Sequence, residues 1–373
     1  MPQKSYSKIA LVHDYLAEYG GAERVLEALH DVFPQAPLYT AFVDKSKLGL
    51  SWSKFAHWDI HTTWLTKIPF HQQLFSPLRI FAPQYFEALD LSQYDLVISS
   101  TNAYFAKAIR VPNGIHVCYC HTPSRSLWGY ATMSDWKKNP LIKLFGTLIN
   151  HYLRVVDVQV AQKVDYFIAN SRETANRITK FYRRESKIIY PPITISDFAS
   201  SKKPARSYFL YVNRLAWAKH PELAVQACLN LNLPLKVVGQ GKMRQKLERL
   251  VLNIPGHKIE FLGAVSDLEL GELYAGAKAL LYPVEDEDFG MVPVEAMAHG
   301  IPVIAHKSGG PLETVIPGKT GILFEDLSVR GLSQAIQDFH LDDFDAQKIR
   351  LSAKKFSLEN FRRSLKEFIA NLP

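Results

Sequence analysis

Short apolar runs alternate with segments of helical periodicity along most of the chain. In the first half, the apolar runs are residues 8–13, 94–100, 115–121 and 165–171, and the periodicity predicts helices over residues 22–32 and 173–182. In the second half, the runs are residues 209–215, 235–241, 259–265, 277–284 and 302–310, with amphipathic segments between them. Strands that alternate with helices are typical of a parallel sheet covered by helices, so the pattern predicts an α/β protein.

The alternation breaks once, near residues 190–193, where two prolines precede the polar segment 200–207. A chain of 373 residues exceeds what one hydrophobic core usually organises. We therefore predict an N-terminal domain over residues 1–192 and a C-terminal domain over residues 193–373. The amphipathic segment 358–372 predicts a final helix that could pack on either domain.

Composition narrows the class of protein. Hydrophobic residues make up 47% of the chain and charged residues 21%, which is typical of a folded globular protein. The polar residues His13 and Asp14 interrupt the start before a secretory apolar core could form, and no run approaches ~20 apolar residues. With three cysteines and no disulfide framework, we expect a cytoplasmic protein.

The formal charge of +8 is unevenly distributed, because residues 136–187 hold eleven Lys and Arg against four Asp and Glu. Such an excess suggests an anionic partner: acidic lipid, a phosphorylated substrate or nucleic acid. No recognisable nucleic-acid-binding module accompanies it, so nucleic acid is not expected. At the start of this segment, apolar and basic side chains interleave; they are Trp136, Lys137, Lys138, Leu141, Ile142, Lys143, Leu144 and Phe145. This pattern suggests peripheral binding to an anionic membrane, although a solvated helix face fits equally well.

The most specific pattern lies between residues 285 and 310. Glu287 and Glu295 are eight positions apart, and Pro293 marks the start of a predicted helix. A loop entering a helix there would aim backbone N–H groups at an anion such as phosphate. Glu287 could then accept hydrogen bonds from sugar hydroxyls, and Glu295 could chelate a diol such as ribose. The predicted ligand contacts are Asp288, Phe289, Gly290, Met291, Val292 and Glu295.

Two further loops follow predicted strands of the C-terminal domain. Arg214 and Lys219 could stabilise the negative charge of a diphosphate leaving group, although two solvated cations are the simpler alternative. Gly239 and Gly241 would let the backbone approach a flat ring or a phosphate, although ordinary turn glycines fit equally well. The acidic run of residues 285–288 contains an Asp-x-Asp pattern that can bind a metal ion. Because the cations and the helix dipole already supply positive charge, we expect no metal.

In the N-terminal domain, Gly20 and Gly21 follow a predicted strand and open a helix, so their N–H groups could contact a phosphate. The string Cys118-x-Cys120-His121 suggests zinc, but strand alternation puts both cysteines on the face opposite His121. Buried structural cysteines are the better interpretation. His121 lies where a strand ends, and both a site residue and a structural histidine remain open.

These motifs resemble those of the GT-B glycosyltransferases of family 4. The E-x7-E signature at Glu287 and Glu295, and the run over residues 296–303 that follows it, match almost residue for residue. Residues 213–220 are similar to the family's G-R-L-x-x-x-K-G, with Asn213 and His220 in place of the two glycines. HDYL at residues 13–16 and GGAERV at residues 20–25 resemble a subfamily whose members look like mannosyltransferases of surface-polysaccharide assembly.

The resemblance implies a GT-B fold: two Rossmann-like parallel-sheet domains facing a cleft, with the acceptor bound by the N-terminal domain and a nucleotide-sugar by the C-terminal one. It implies that Arg214 and Lys219 hold the diphosphate, that Glu287 faces the donor sugar and Glu295 the ribose, and that His121 lies near the reacting sugar. It also implies transfer with retention of configuration and no strong side-chain nucleophile.

We therefore expect a retaining glycosyltransferase that moves a hexose to a glycan or lipid-linked acceptor. Mannose from GDP-mannose is the first expectation for the donor, and a UDP-sugar is the second. No cofactor is expected, and activity should be independent of metal. The alternatives are a nucleotide-sugar epimerase or hydrolase, which would form product without an acceptor, and a non-catalytic protein that binds an anionic surface.

Overall fold

The computed structural model describes residues 6–132, 140–193 and 206–373, with the side chains of residues 140–142 left out. The chain divides into two compact units: residues 1–192 together with 358–373, and residues 193–357. The strands are β1 Ile9–His13, β2 Leu38–Thr40, β3 Ile60–Thr62, β4 Leu96–Thr101, β5 Ile115–Cys120, β6 Tyr166–Ala169, β7 Ser186–Ile188, β8 Tyr208–Val212, β9 Leu235–Val238, β10 Ile259–Gly263, β11 Ala277–Tyr282, β12 Val303–His306 and β13 Gly321–Phe324.

Helices separate most of these strands. They are α1 Gly21–Val32, α2 Lys45–Leu48, α3 Phe75–Leu78, α4 Ala82–Glu87, α5 Pro140–Gln162, α6 Arg172–Tyr182, α7 Pro221–Asn230, α8 Arg244–Leu252, α9 Asp267–Ala275, α10 Met291–Ala298, α11 Pro311–Thr314, α12 Val329–Gln337, α13 Ala346–Ala353 and α14 Leu358–Ala370. Over the ranges that the structure describes, no helix is both long enough and apolar enough to cross a membrane.

Each unit is built on a parallel sheet, as the strand and helix alternation predicts. The first sheet has the order β3-β2-β1-β4-β5-β6-β7, and the second has the order β10-β9-β8-β11-β12-β13. The strand order reverses direction between β1 and β4 in the first sheet and between β8 and β11 in the second. In such sheets, ligands bind outside the carboxyl ends of the strands at this switch point. The loops after these four strands are therefore the expected ligand-binding loops.

Strand alternation sorts the first core into two faces. Cys118 and Cys120 of β5 are buried and unpaired, and they pack with Phe167 and Tyr182. Tyr119 points to the opposite face and packs in another cluster with residues of β1 and β4. The cysteines are therefore buried structural residues, as the alternation predicts.

The final helix α14 belongs to the first unit. Its apolar side chains Phe361, Leu365 and Ile369 recur at every fourth position and are buried in the same cluster as Leu11 of β1 and Leu29 of α1. Its partner helix is α1, since Arg362 donates to Asp31 at 2.9 Å. The chain thus returns to the first unit after completing the second.

A buried ion pair anchors α5 within the first unit. Asp157 accepts hydrogen bonds from Lys107 Nζ at 2.6 Å, Trp128 Nε1 at 3.0 Å and Tyr182 Oη at 2.8 Å. Burial acts to lower the pKa of Lys107, but the charge of Asp157 and its hydrogen bond outweigh burial and raise that pKa. The lysine therefore remains charged and paired.

Candidate functional site

The second unit brings Lys219 and Glu287 into contact although they are 68 positions apart. Lys219 Nζ donates to Glu287 Oε2, and Tyr282 Oη donates to the same oxygen at 2.7 Å. The two charged side chains are 15% and 13% exposed, so the ion pair is mostly shielded from water. Burial, and then the charge and hydrogen bond of Glu287, raise the pKa of Tyr282 well above its ordinary value, which keeps the phenol protonated as a donor.

Sheet topology explains this meeting. Lys219 lies in the loop after β8, and Glu287 lies in the loop after β11, which is the neighbouring parallel strand. Because parallel strands end at the same edge, their loops converge there. Tyr211, on β8, donates its hydroxyl to the Lys219 carbonyl at 2.9 Å, so the lysine is held through both its backbone and its side chain.

The loop that carries Glu287 is packed closely against two glycines that follow β12. Gly310 N–H donates to the Glu287 carbonyl at 2.8 Å. A Cβ atom at Gly309 would lie 2.2 Å from that carbonyl oxygen, and one at Gly310 would lie 2.0 Å from the Phe289 carbonyl oxygen. Any side chain at these positions would displace the loop. Glycine is required here because two backbones touch.

Helix α10 begins directly after this loop. Gly290 has a φ of 81°, the left-handed region that favours glycine, and it leads into Met291 and Val292 in the first turn. The first N–H groups of a helix have no partner within the helix, which agrees with the predicted anion contacts of this turn. Glu295 is half-buried one turn later, where Tyr274 Oη donates to it at 3.4 Å.

The side chain of Phe289 is not part of this surface. It is 2% exposed and packs edge to face against Phe356, with ring centroids 5.4 Å apart. Its predicted ligand contact is therefore restricted to the backbone. Asp288, next to it, is half-buried.

The two glycines after β9 are required for packing within the protein, whatever ligand they approach. Cβ atoms at Gly239 and Gly241 would lie 1.9 Å from the Asn213 carbonyl oxygen and 2.2 Å from the Leu215 carbonyl oxygen. Both glycines also have positive φ values, 129° and 156°. They let the loop after β9 pack onto the loop that carries Arg214, so their absent side chains make room for the neighbouring chain segment.

Arg214 occupies that loop as an exposed residue, unlike the largely buried Lys219. His220, which ends the loop, has a φ of 47° and pairs through Nδ1 with Glu222 Oε1 at 3.2 Å. The backbone therefore takes the left-handed conformation at the position where the resembling pattern has glycine. Histidine is one of the residues that tolerate this region better than most.

The acidic run Glu285, Asp286, Glu287 and Asp288 does not close into a metal-binding cluster. Across residues 6–132, 140–193 and 206–373, no group of three or more His, Cys, Asp or Glu side chains could hold a metal ion. Ser308 accepts from the Asp286 N–H at 2.9 Å, and Glu287 is engaged by Lys219 and Tyr282. The observed contacts of these two acids are thus with the protein.

In the first unit, Gly20 directly precedes α1 and Gly21 is the first residue of α1, so both lie at the helix start that the sequence predicts. Gly20 caps the helix, and its N–H donates to Glu23 Oε2 at 2.8 Å. Burial acts to raise the pKa of Glu23, but its contact with His13 and the hydrogen bond from the Gly20 N–H lower it below the ordinary value. Gly21 is exposed.

His121 directly follows β5 and is 8% exposed. The ring atom Nε2 lies 2.9 Å from Ser100 Oγ, and the backbone N–H of His121 donates to the Thr101 carbonyl at 2.9 Å. Burial, followed by the neighbouring His13, lowers the pKa of His121 to about 4. Its ring is therefore neutral at neutral pH and can both donate and accept a hydrogen bond.

Asp14 shapes the loop between β4 and β5. Its two carboxylate oxygens accept from Thr101 Oγ1 at 3.0 Å and from the backbone N–H groups of residues 102, 103, 104 and 106 at 2.7 to 3.1 Å. A carboxylate with five donors holds this loop in one conformation. Motif reading does not assign Asp14 this role.

The basic segment of the sequence is not one exposed patch. Arg177 is 2% exposed and donates to Glu173, and Arg184 donates to the backbone carbonyls of residues 161, 162 and 165. Trp136, Lys137 and Lys138, with the side chains of Leu141 and Ile142, lie outside the described residues. What α5 does expose is an apolar stripe; we call it the α5 stripe, and it consists of Leu144, Phe145, Leu148, Tyr152 and Val155, between 46% and 62% exposed.

Several residues of these sites carry no signal in the sequence. Tyr211 and Tyr282 resemble ordinary core positions of β8 and β11, and only the structure shows their hydroxyl groups on Lys219 and Glu287. Ser100 resembles the end of a buried strand. The polar pair His13-Asp14 after an apolar run was the one available indication that the end of β1 has a special role.

The two doubly wound sheets define the class of the protein: both units are Rossmann-like, and together they form the GT-B fold. The crystal structure of Anabaena HepE in complex with UDP and glucose superposes with a TM-score of 0.69, at 20% sequence identity, over 98% of this chain and 100% of that chain. At this identity the likeness establishes the fold alone. The fold predicted from the sequence is confirmed.

Sequence comparisons then show which family the second unit matches and which proteins the chain resembles. The model of the glycosyl transferases group 1 family matches residues 193–356. The mouse alpha-1,3/1,6-mannosyltransferase ALG2 is 26% identical over 292 residues, which cover 68% of this chain and 67% of the mouse protein. The Schizosaccharomyces pombe protein of the same name is 26% identical over 385 residues, covering 86% of this chain and 71% of that protein. The second unit thus matches the glycosyl transferases group 1 family, and the chain as a whole has the GT-B fold.

Proposed function

We propose that this glycosyltransferase transfers mannose from GDP-mannose, with retention of configuration, to a glycan or lipid-linked acceptor. The observation that carries the proposal is the Lys219–Glu287 pair, held by Tyr282 at the carboxyl edge of the group 1 domain. Support for mannose comes from the two ALG2 relatives, whose names describe them as mannosyltransferases. Support for GDP comes from the HDYL and GGAERV resemblance near the start of the chain.

The proposed roles follow from charge and position. Lys219 and Arg214 stabilise the diphosphate as negative charge develops on it, and this stabilisation is greater in the transition state than in the ground state. Glu287 orients the donor sugar through its hydroxyls, and Glu295 binds the ribose. A phosphate oxygen of the leaving group takes the proton from the acceptor hydroxyl, so no side chain has to act as a nucleophile. The cations replace a metal ion in this scheme.

Donor selectivity tests the proposal directly. The melting temperature of the purified protein is measured with GDP-mannose, with UDP-glucose and with each free nucleoside diphosphate, in the presence and absence of EDTA. In a second assay, release of the diphosphate from each sugar nucleotide is followed with an acceptor present. We expect GDP-mannose to raise the melting temperature most, equally in EDTA. If UDP-glucose alone stabilised the protein, a UDP-sugar would take the place of GDP-mannose as the proposed donor. Stabilisation that disappears in EDTA would refute metal independence.

Two variants test the site. Lys219→Ala and Glu287→Ala should each lower transfer at least a hundredfold. The matched control is Lys307→Ala, which removes an exposed Lys–Glu pair of the same unit, since Lys307 and Glu325 are 50% and 76% exposed. Wild-type turnover in either site variant would contradict the assignment.

A UDP-sugar donor is the second candidate, favoured by the HepE structure, which contains UDP and glucose. The same architecture could also serve a nucleotide-sugar epimerase or hydrolase. Those reactions need no acceptor, whereas the proposed transfer does. Product formation at an undiminished rate without any acceptor would therefore favour epimerisation or hydrolysis over transfer.

We further propose that the first unit rests on an anionic membrane through the α5 stripe and the exposed Lys143 next to it. Apolar side chains between 46% and 62% exposed favour insertion at a lipid interface, and nearby Lys143 favours acidic headgroups. Flotation with anionic vesicles should carry the protein upward, and Leu148→Glu should abolish this. The control is Leu252→Glu, at a 76% exposed leucine of the second unit. Equal flotation with neutral vesicles would contradict the role of acidic lipid.

A further inference from the structure

Four buried side chains of the first unit form a continuous chain of hydrogen bonds that ends at His121. Glu23 Oε1 lies 3.4 Å from His13 Nε2, His13 Nδ1 lies 3.1 Å from Ser100 Oγ, and Ser100 Oγ lies 2.9 Å from His121 Nε2. All four residues are between 0% and 8% exposed. His13 and Ser100 are register partners on the neighbouring strands β1 and β4, and β5 is next, so the sheet itself sets the spacing.

Each bond in this chain has a direction, and for a neutral His13 the first bond fixes the others. Glu23 is a carboxylate and can only accept, so His13 carries a hydrogen on Nε2. A neutral His13 then accepts at Nδ1, which requires the Ser100 hydroxyl to donate to it. With its single hydrogen used, Ser100 must accept from His121, whose hydrogen is therefore on Nε2. The remaining lone pair of His121 is on Nδ1.

A protonated His13 would reverse these directions. Its Nδ1–H would donate to Ser100, Ser100 would donate to His121 Nε2, and His121 would carry its hydrogen on Nδ1. The distances favour the neutral form: the His13 to Glu23 contact is 3.4 Å, whereas a charged N–H group and a carboxylate approach to about 2.8 Å. Glu23 also accepts from Gly20 N–H at 2.8 Å.

We propose that His13 and Ser100 are positioning residues that fix the ring tautomer of His121, leaving its Nδ1 to accept a hydrogen bond from a sugar hydroxyl. Nδ1 has no hydrogen-bond partner in the described parts of the chain, and it is not among the fully enclosed polar atoms. A hydroxyl is the matching ligand because it can donate to this lone pair. The inference rests on the proposed contact between His121 and a sugar.

The tautomer can be measured without any substrate. Protein labelled with 15N at histidine is examined by long-range proton–nitrogen correlation at pH 7.5, with the His121 signals assigned from a His121→Ala spectrum. We expect His121 to be the Nε2–H tautomer in the wild type and a mixture in Ser100→Ala, while Ser100→Thr, which keeps the hydroxyl, restores the wild-type pattern. An Nδ1–H tautomer in the wild type would overturn the proposal.

The neighbouring residue on β4 supplies a matched control. Ser99 Oγ makes an equally buried hydrogen bond, 2.8 Å to His116 Nε2, on the opposite face of the sheet. Ser99→Ala should lower the melting temperature about as much as Ser100→Ala but leave the His121 tautomer and kcat/KM unchanged. Ser100→Ala should lower kcat/KM about tenfold, the effect of one hydrogen bond of ordinary strength.

The possible failures are distinguishable. A His121 tautomer that stays unchanged in Ser100→Ala would overturn the positioning role and leave the proposed glycosyl transfer intact. Full activity in His121→Ala would overturn the hydroxyl contact even with the tautomer as expected. If Ser100→Ala does not fold, His13→Phe fills the same space without ring nitrogens and should shift His121 toward the Nδ1–H tautomer; an unshifted ring would overturn the proposal.

Discussion

The Lys219–Glu287 pair offers a test that separates its contribution to folding from its contribution to catalysis. Its side chains are 15% and 13% exposed, so the pair lies between exposed pairs, worth up to ~1 kcal/mol, and fully buried ones, whose disruption costs about 3–5 kcal/mol. Lys219→Met removes the cation paired with the Glu287 carboxylate and keeps the hydrogen bond from the Tyr282 hydroxyl. We expect a loss of about 2 kcal/mol in the free energy of unfolding, which corresponds to a decrease of about 4–8 °C in melting temperature.

Combining Lys219→Met with Glu287→Gln completes a double-mutant cycle. Because neither variant side chain is charged, the double variant should lose less free energy of unfolding than the two single variants lose together. The difference should be about 1 kcal/mol or more. Its activity should not recover, because both groups are needed for transfer, and each single variant should lower kcat/KM by about 10²–10³.

Urea unfolding of the full chain and diphosphate release measure the two quantities, with Lys307→Met as the control for an exposed pair. A coupling free energy within about 0.3 kcal/mol of zero would show that the pair is not formed in solution. Recovery of activity together with stability in the double variant would refute the catalytic roles and leave the pair a structural one.

Three further predictions concern the scaffold. Asp157→Asn removes the charge that balances buried Lys107, so urea unfolding should show a loss of about 3–5 kcal/mol, and an unchanged midpoint would contradict the pair. Gly309→Ala places a carbon 2.2 Å from the Glu287 carbonyl oxygen, so turnover should fall at least tenfold with a loss of about 1–3 kcal/mol; wild-type turnover would show that the loop tolerates the shift. Burial, and then the charge of Lys107, lower the pKa of His116 to about 3, so between about pH 6.5 and pH 3 the unfolded chain binds a proton that the folded chain does not. The free energy of unfolding should therefore be complete above about pH 6.5 and fall as the pH decreases toward 3. It should fall less steeply in His116→Asn, and equal slopes in the two proteins would contradict this.

The strands with long apolar runs were predictable, and the shortest strands were not. The runs at residues 94–100 and 115–121 predicted β4 and β5 because continuous burial on both faces leaves a long apolar signal. The strands β2, β3 and β7 have three residues each, too few for any periodicity to register. Strand β13 has only four residues, and the helix before it, α11, has only four as well, so neither element is long enough to show a periodicity.

The positions of the candidate site residues were more predictable than their partners. Sequence motifs indicated Lys219 and Glu287 separately, one for a diphosphate and one for a sugar, but a separation of 68 residues gives no sign that they contact each other. The contact depends on β8 and β11 being neighbours, which is a property of the sheet order. His13 and Ser100, 87 positions apart, are brought together for the same reason.

The loop that carries Arg214 and Lys219 shows which part of its motif is needed physically. Asn213 and His220 replace the two glycines of the resembling pattern, yet the loop closes onto its neighbour because Gly239 and Gly241 provide the space for backbone contact. His220 takes the left-handed conformation itself, at a cost of about 1–2 kcal/mol that the following proline-initiated helix can offset. This loop and the resembling pattern share the two cations, Arg214 and Lys219, and the spacing between them. That is expected if the loop must supply positive charge to an anionic ligand and does not need glycine at its two ends.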